Sequence, residues 1–139
     1  DGLNFGNNAR AALVCRGLAE LTRLAVATGS NGRAMAGLAG VGDLMLTCSS
    51  SLSRNFTVGK KLASGMTLEE ISGGTNAVAE GVATAKSVRM LAGKLDVEMP
   101  ICDAVYRCLY EGMSPKDALA ELQARPLGAE GGLVAPPKE

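Results

Sequence analysis

The sequence predicts an all-α fold, a multi-helix bundle, on three observations. Apolar residues recur at helical spacing through most of the chain up to Arg125. Helix-start and helix-stop residues (Asn, Ser and Thr before a segment, Pro in its first turn, Gly after it) bracket those stretches. No alternating apolar run is long enough for a convincing strand. The chain has 139 residues, 47% of them hydrophobic, which suits one domain with a real core.

The elements follow in order. Asp1–Gly6 is turn-rich, and Asn7 or Asn8 is placed to cap a long helix. Leu13, Leu18, Leu21, Leu24 and Ala25 mark its apolar side, and Arg10, Arg16, Glu20 and Arg23 supply polar positions. Gly29 ends it in a left-handed cap. Its many alanines allow close approach of neighbours, so a central place in the bundle is expected. Residues 30–53 are broken by Gly32, Gly37, Gly40 and Gly42 into short pieces, with Ser49, Ser50, Ser51 and Ser53 forming a polar hinge. A helix runs from Arg54 through Leu62 and stops near Gly65. Thr67-Leu68-Glu69-Glu70 reads as a capping box opening a helix over 68–72. Gly73–Asn76 is a loop, and the next helix is expected from Ala79 to Leu91, ending at Gly93. Pro100 opens a helix to Tyr110, with Gly112 behind it. Ser114-Pro115 caps the last helix, which turns Ala118, Leu119 and Leu122 inward. The division expected is a helical domain over 1–125 and a flexible tail over 126–139.

Composition excludes several classes of chemistry. Fourteen basic residues balance fourteen acidic ones, which argues against a strongly basic nucleic-acid binder. The absence of His removes His-based acid–base catalysis and His metal ligands. Two Tyr, two Phe and no Trp make base-stacking platforms a poor expectation. No apolar run approaches the roughly 18 residues of a membrane span, and no signal-peptide pattern opens the chain. The cysteines Cys15, Cys48, Cys102 and Cys108 lack CxxC spacing and read as buried core thiols of a reducing compartment, with no metal site expected. A first residue Asp1 in place of Met suggests a processed product or a piece of a longer chain.

Three stretches could carry chemistry. In Gly40-Val41-Gly42-Asp43-Leu44-Met45-Leu46-Thr47, a helix would put Asp43 and Thr47 on one face, where a carboxylate could orient a hydroxyl or an ammonium. The plainer alternative is that Asp43 caps a short helix. In Ser49–Phe56, a serine-rich loop delivers Arg54 and Asn55 to a helix start. Free N–H groups, the dipole end and an Arg fork favour an anion at such a place. An ordinary capped loop is the competing account. In Asn76–Gly81, Glu80 suits a helix start electrostatically and could also accept from ribose hydroxyls. No glycine fingerprint for a dinucleotide or a P-loop is present, and Lys60-Lys61 reads as a solvated face.

Four blocks occur in order: GLNFGNNARAALVCRGLAELTRL, GLAGVGDLMLTC, SRNFTVG and AVAEGVATA. Together the chain resembles, over residues 1–125, the C-terminal substrate domain of NAD(P)-dependent sn-glycerol-3-phosphate dehydrogenases of the bacterial and plastid type. The resemblance implies a helical bundle of the 6-phosphogluconate-dehydrogenase C-terminal-domain-like type. It also implies a Rossmann-type N-terminal partner domain, absent from this chain, that holds most of an NAD or NADP cofactor. The implied reaction is hydride transfer between glycerol 3-phosphate and dihydroxyacetone phosphate for glycerophospholipid synthesis, in the cytoplasm or, in a plant, the plastid.

By the same resemblance, Asp43 organises the reacting hydroxyl, Thr47 lies beside the substrate, and Ser53, Arg54 and Asn55 hold its phosphate. Arg54, Val78 and Glu80 fall on cofactor-contacting positions. The family's general-base Lys, followed by Asn, would lie about ten residues before Asp1, so the chain alone is expected to be inactive. Two alternatives stand beside this: the helical half of another hydroxy-acid dehydrogenase, and a non-catalytic helical dimerisation module. The apparent lack of an exposed apolar stripe weighs against a pure adaptor.

Overall fold

A computed structural model describes residues 1–73 and 80–125. The expected loop over 74–76, the helix start at Ala79 and the tail over 126–139 lie outside the described residues. The described residues contain helices and no strand. Helix α1 spans Gly6–Ala27, α2 Asp43–Ser49, α3 Arg54–Ala63, α4 Leu68–Ser72, α5 Glu80–Lys94, α6 Pro100–Tyr110 and α7 Pro115–Ala124. Helix α6 packs against α1, α5 and α7, and α3 packs against α2, α4, α5 and α7. The core is built of small and medium side chains: Val14, Val82, Ala85, Ala92, Met99, Ala104 and Ala118.

Much of the capping follows the sequence. The Thr67 hydroxyl accepts from the Glu70 N–H at 3.2 Å, and the Glu70 carboxylate accepts from the Thr67 N–H at 2.7 Å, closing a capping box. Those bonds hold the Glu70 carboxyl below the usual carboxylate range. Ser114 Oγ accepts from the Asp117 N–H at 3.1 Å. At the end of α1, Gly29 (φ +97°) donates to the Val26 carbonyl and Ser30 to the Ala25 carbonyl, the two bonds of a left-handed Schellman cap.

Several expectations are corrected. Neither Asn7 nor Asn8 caps α1; the N-cap is Phe5, without a side-chain cap bond, and Asn7 accepts from the Arg10 guanidinium instead. Gly93 does not stop α5. The helix runs through it to Lys94 and ends at Asp96 (φ +52°), where Val97 donates back to the Ala92 carbonyl. The cysteines are not all core residues: Cys15 is exposed, and Cys48, Cys102 and Cys108 are half-buried; all four are free thiols. Leu13, assigned to the apolar side of α1, is exposed. Apolar side chains do reach the surface in quantity, with Leu38 91%, Leu52 93% and Leu46 67% exposed.

The largest correction concerns α1. Arg16, Glu20 and Arg23 lie four and three residues apart, on one helix face, and that face is a packing seam. Arg16 donates to the Leu122 carbonyl near the C-terminal end of α7 at 3.3 Å. Arg23 donates to the Glu98 carbonyl from Nε (3.2 Å) and Nη2 (2.9 Å), gripping the α5–α6 connection. Glu20 is 2% exposed and accepts from the Ile101 and Cys102 N–H groups at 2.7 and 3.1 Å. Those are the second and third residues of α6. Pro100 has no N–H to satisfy, and Asp103 makes the first backbone bond to Met99, so one carboxylate from another helix completes this helix start.

Between α1 and α2 the chain makes a 3₁₀ turn (Arg33–Ala36) and a π turn (Leu38–Gly42). They fit together only because Gly40 has no side chain: a Cβ there would lie 2.2 Å from the Met35 carbonyl oxygen. That contact sets where Asp43 begins α2.

Removing the Glu20 carboxylate strands two N–H donors, so Glu20→Ala should lower unfolding free energy by about 2–4 kcal/mol in urea titrations. Burial raises the Glu20 carboxyl above its ordinary value, against the opposing pull of the Ile101 and Cys102 bonds and Arg23. A carboxyl with a raised folded pKa binds more protons folded than unfolded, so its stability contribution is greatest below the unfolded value and declines as pH rises through the folded one. The stability of Glu20→Gln relative to the parent should therefore improve from about pH 4 towards about pH 7. Burial and the neighbouring Glu20 push the Cys102 thiol up to about 12. Iodoacetamide at neutral pH should accordingly modify the exposed Cys15 well before Cys102, read by mass spectrometry of timed digests.

Candidate anion and substrate site

The serine-rich stretch before α3 is a set of nested turns. The Leu52 N–H donates to Ser50 Oγ at 3.2 Å, and Thr57 Oγ1 donates to the Ser53 and Ser51 carbonyls at 3.1 and 3.4 Å. Ser53 is the N-cap of α3, its hydroxyl accepting from the Phe56 N–H at 3.3 Å. Ser53 therefore has a structural duty that accounts for it without a ligand. Thr57 makes the first backbone bond of the helix, to the Ser53 carbonyl, so the N–H groups of Arg54 and Asn55 have no intrahelical partner.

Arg54 opens α3, is exposed, and makes no hydrogen bond or ion pair among the described residues. Helix α3 carries three cations, Arg54, Lys60 and Lys61, and no acid. The two lysines are exposed in its last turn, where they suit the negative end of the dipole, as a solvated face should. The Lys60 ammonium lies 5.8 Å over the Phe56 ring.

Asn55 connects this helix start to another. Its Oδ1 accepts from the Gly81 N–H of α5 at 3.2 Å. The first turns of α3 and α5 are thereby brought together, with the exposed Arg54 immediately before Asn55 and the exposed Glu80 immediately before Gly81. Val78 lies outside the described residues. Gly81 was quoted in the sequence only as part of a block. Its signal, a glycine inside a helical pattern, points to close approach, but the partner 26 residues away is visible only in the fold.

Asp43 is the first residue of α2, with Gly42 as N-cap and no side-chain cap bond, so the capping account of Asp43 does not hold. The carboxylate is exposed and makes no hydrogen bond or ion pair among the described residues. Thr47 follows one turn later on the same helix, half-buried. Cys48 has its thiol raised by burial and, secondarily, by the Asp43 charge. Helix α2 packs on α3, so both stretches belong to one region, although no bond joins Asp43 to Ser53, Arg54 or Asn55. A carboxylate on one helix and a set of donors at the start of the next can hold a polyol phosphate by opposite ends.

Two shallow cavities lie elsewhere. One, about 310 Å³, is lined by Ser51, Phe56, Lys60 and Lys61; the other, about 400 Å³, lies between Arg89, Met99, Asp103 and Arg125. Neither includes Asp43, Arg54, Asn55 or Glu80, all four of which are exposed. Among the described residues no three His, Cys, Asp or Glu side chains group to hold a metal, and no helix is long and apolar enough to cross a membrane.

The family described as "NAD-dependent glycerol-3-phosphate dehydrogenase C-terminus" matches residues 1–120. A glycerol-3-phosphate dehydrogenase [NAD(P)+] of Anaeromyxobacter dehalogenans is 58% identical over 125 residues, which cover 90% of this chain and 38% of that protein. A glycosomal glycerol-3-phosphate dehydrogenase [NAD(+)] of Leishmania mexicana is 55% identical over 131 residues, covering 94% of this chain and 36% of that protein. The crystal structure of glycerol-3-phosphate dehydrogenase from Coxiella burnetii superposes with a TM-score of 0.85 at 42% identity, covering 90% of this chain and 38% of the other. The chain thus spans under two-fifths of the length of the relatives it matches. With its helical architecture and its Asp43 and Ser53–Asn55 stretches in place, this chain belongs to the family of NAD-dependent glycerol-3-phosphate dehydrogenase C-terminal domains.

Proposed function

We propose that this chain is the substrate-binding half of an oxidoreductase that interconverts sn-glycerol 3-phosphate and dihydroxyacetone phosphate, supplying glycerophospholipid synthesis. The observation that carries the reading is the start of α3. An unpaired guanidinium, an anchored carboxamide and two N–H groups without an intrahelical partner share the first turn of one helix, as a phosphate site needs. Arg54 and Asn55 grip the phosphate, while Ser53 holds the helix start in shape. Asp43 accepts from the substrate's hydroxyl end and orients it towards the general base, and Thr47 lies alongside. That base is a Lys expected about ten residues before Asp1, outside this chain.

The described residues contain no strand and no glycine-rich strand–turn–helix, so they cannot cradle a whole dinucleotide. They fit its edge: Arg54 suits a phosphate, and Glu80 suits a ribose hydroxyl, with Val78 two residues before it in sequence. NAD or NADP supplies the hydride acceptor or donor when bound, held mainly by a Rossmann-type N-terminal half. In this reading the complete enzyme works in the cytoplasm, or in the plastid of a plant. The exposed Leu38, Leu46 and Leu52 support a second reading, in which this half also takes part in domain or homodimer contacts.

In the complete enzyme, Arg54→Ala should raise the KM for dihydroxyacetone phosphate at least about 30-fold, since losing a charge-assisted partner costs about 2–5 kcal/mol. A KM at the parent's level would remove Arg54 from the phosphate site. The chain alone should show no NADPH oxidation with dihydroxyacetone phosphate. Appreciable turnover would mean that the catalytic base lies within residues 1–139.

A further inference from the structure

We propose that Gly81 is a positioning residue: its peptide N–H fixes the Asn55 carboxamide with oxygen inward and nitrogen outward, and its missing side chain makes room for that arrangement. This rests on the phosphate-site reading of Ser53–Asn55. The Gly81 N–H lies in the first turn of the described part of α5. It bonds to Asn55 Oδ1 at 3.2 Å. A peptide N–H can bond only to the oxygen end of an amide, so Nδ2 and its two hydrogens must point the other way.

Nδ2 makes no hydrogen bond among the described residues, and Asn55 follows the unpaired Arg54 in the first turn of α3, where neither backbone N–H has an intrahelical partner. Held this way, Asn55 has a donor rather than an acceptor left to offer, which is what a phosphate monoester requires. Flipped, the same amide would present an oxygen to that anion.

The space around Gly81 explains why the position is a glycine. A Cβ there would lie 2.6 Å from Asn55 Oδ1, 2.9 Å from its Cγ and 3.1 Å from its Nδ2. Every one of those atoms belongs to the far end of a flexible side chain. The helices need not move apart to accept a methyl group; the carboxamide swings away instead. Substitution at Gly81 therefore costs phosphate recognition rather than folding.

The test uses the complete enzyme carrying Gly81→Ala, Asn55→Ala and the pair. Gly81→Ala should raise the KM for dihydroxyacetone phosphate about tenfold, with the loss in KM rather than kcat and no fall in Tm. The preference for dihydroxyacetone phosphate over unphosphorylated dihydroxyacetone, as a ratio of kcat/KM, should fall by the same factor. On the Asn55→Ala background, where nothing remains to be displaced, Gly81→Ala should change KM by less than about twofold. A KM unchanged by Gly81→Ala overturns the proposal, and so does an equal loss in the presence and absence of the Asn55 side chain. An equal loss for the phosphorylated and unphosphorylated substrates also overturns it. A parental KM in Asn55→Ala alone overturns the phosphate site itself, and the proposal with it.

Discussion

The fold turns on a carboxylate that has no business with solvent. Glu20 sits in the middle of α1 and caps α6, flanked by Arg16 on the end of α7 and Arg23 on the α5–α6 connection. Burying a charge is costly, and here the cost is offset in part by two N–H groups, the positive end of α6 and the nearby Arg23. The side chains packed around this seam are mostly small, and small apolar surfaces slide past one another at little cost. Directional bonds to chain ends do not slide. The polar seam therefore sets the register that the alanine-rich core leaves open, and it does so for three segments at once.

That register is passed on to the candidate site through α6. Helices α5 and α6 run antiparallel, as the Arg89–Asp103 pair (2.9 Å) and the Tyr110–Val82 bond (2.8 Å) show. Arg89 also stacks over Tyr106 at 4.1 Å and reaches Glu111 at 2.7 Å. On the surface, ion pairs like these contribute little individually. The Tyr110 hydroxyl is different in kind, because it holds the Val82 carbonyl, one residue beyond Gly81. The start of α6 is thus fixed by α1, its end fixes the start of α5, and the start of α5 holds Asn55.

What could be read from the sequence follows the range of the interactions. Caps that close within three residues, at Thr67 and Ser114, were legible because donor and acceptor share one short string. So was the helix over 54–63, whose N-cap and last-turn lysines are local signals. Misreadings gather where the partner is remote. Glu20 looks like a solvent-face residue until Ile101 and Cys102 arrive 81 and 82 residues later. Gly93 looks like a stop signal, yet nothing within 4 Å demands or forbids it, and the left-handed turn falls on Asp96 instead. The cysteines misled because a thiol's burial is set by which face of a helix it occupies, and Cys15 occupies an outer face of α1.

The site illustrates the same division at shorter range. Arg54 and Asn55 were legible from their chemistry as a candidate anion site beside the account of an ordinary capped loop, and only the family resemblance joined Ser53 to them; the three divide their work in space. Ser53 spends its hydroxyl on the Phe56 N–H, Asn55 spends its oxygen on Gly81, and Arg54 alone is uncommitted. Two of the three are thus held by the protein before any ligand arrives, so little of their side-chain freedom is left to lose on binding. Arg54 is exposed and without a bonded partner among the described residues, and in the proposed reading it is the residue whose ordering should depend on what binds opposite. Asp43, equally uncommitted, stands on α2, which packs on the same helix. In the proposed reading, these fixed donors and the two uncommitted charges of opposite sign are matched by a ligand that carries a phosphate at one end and a hydroxyl at the other.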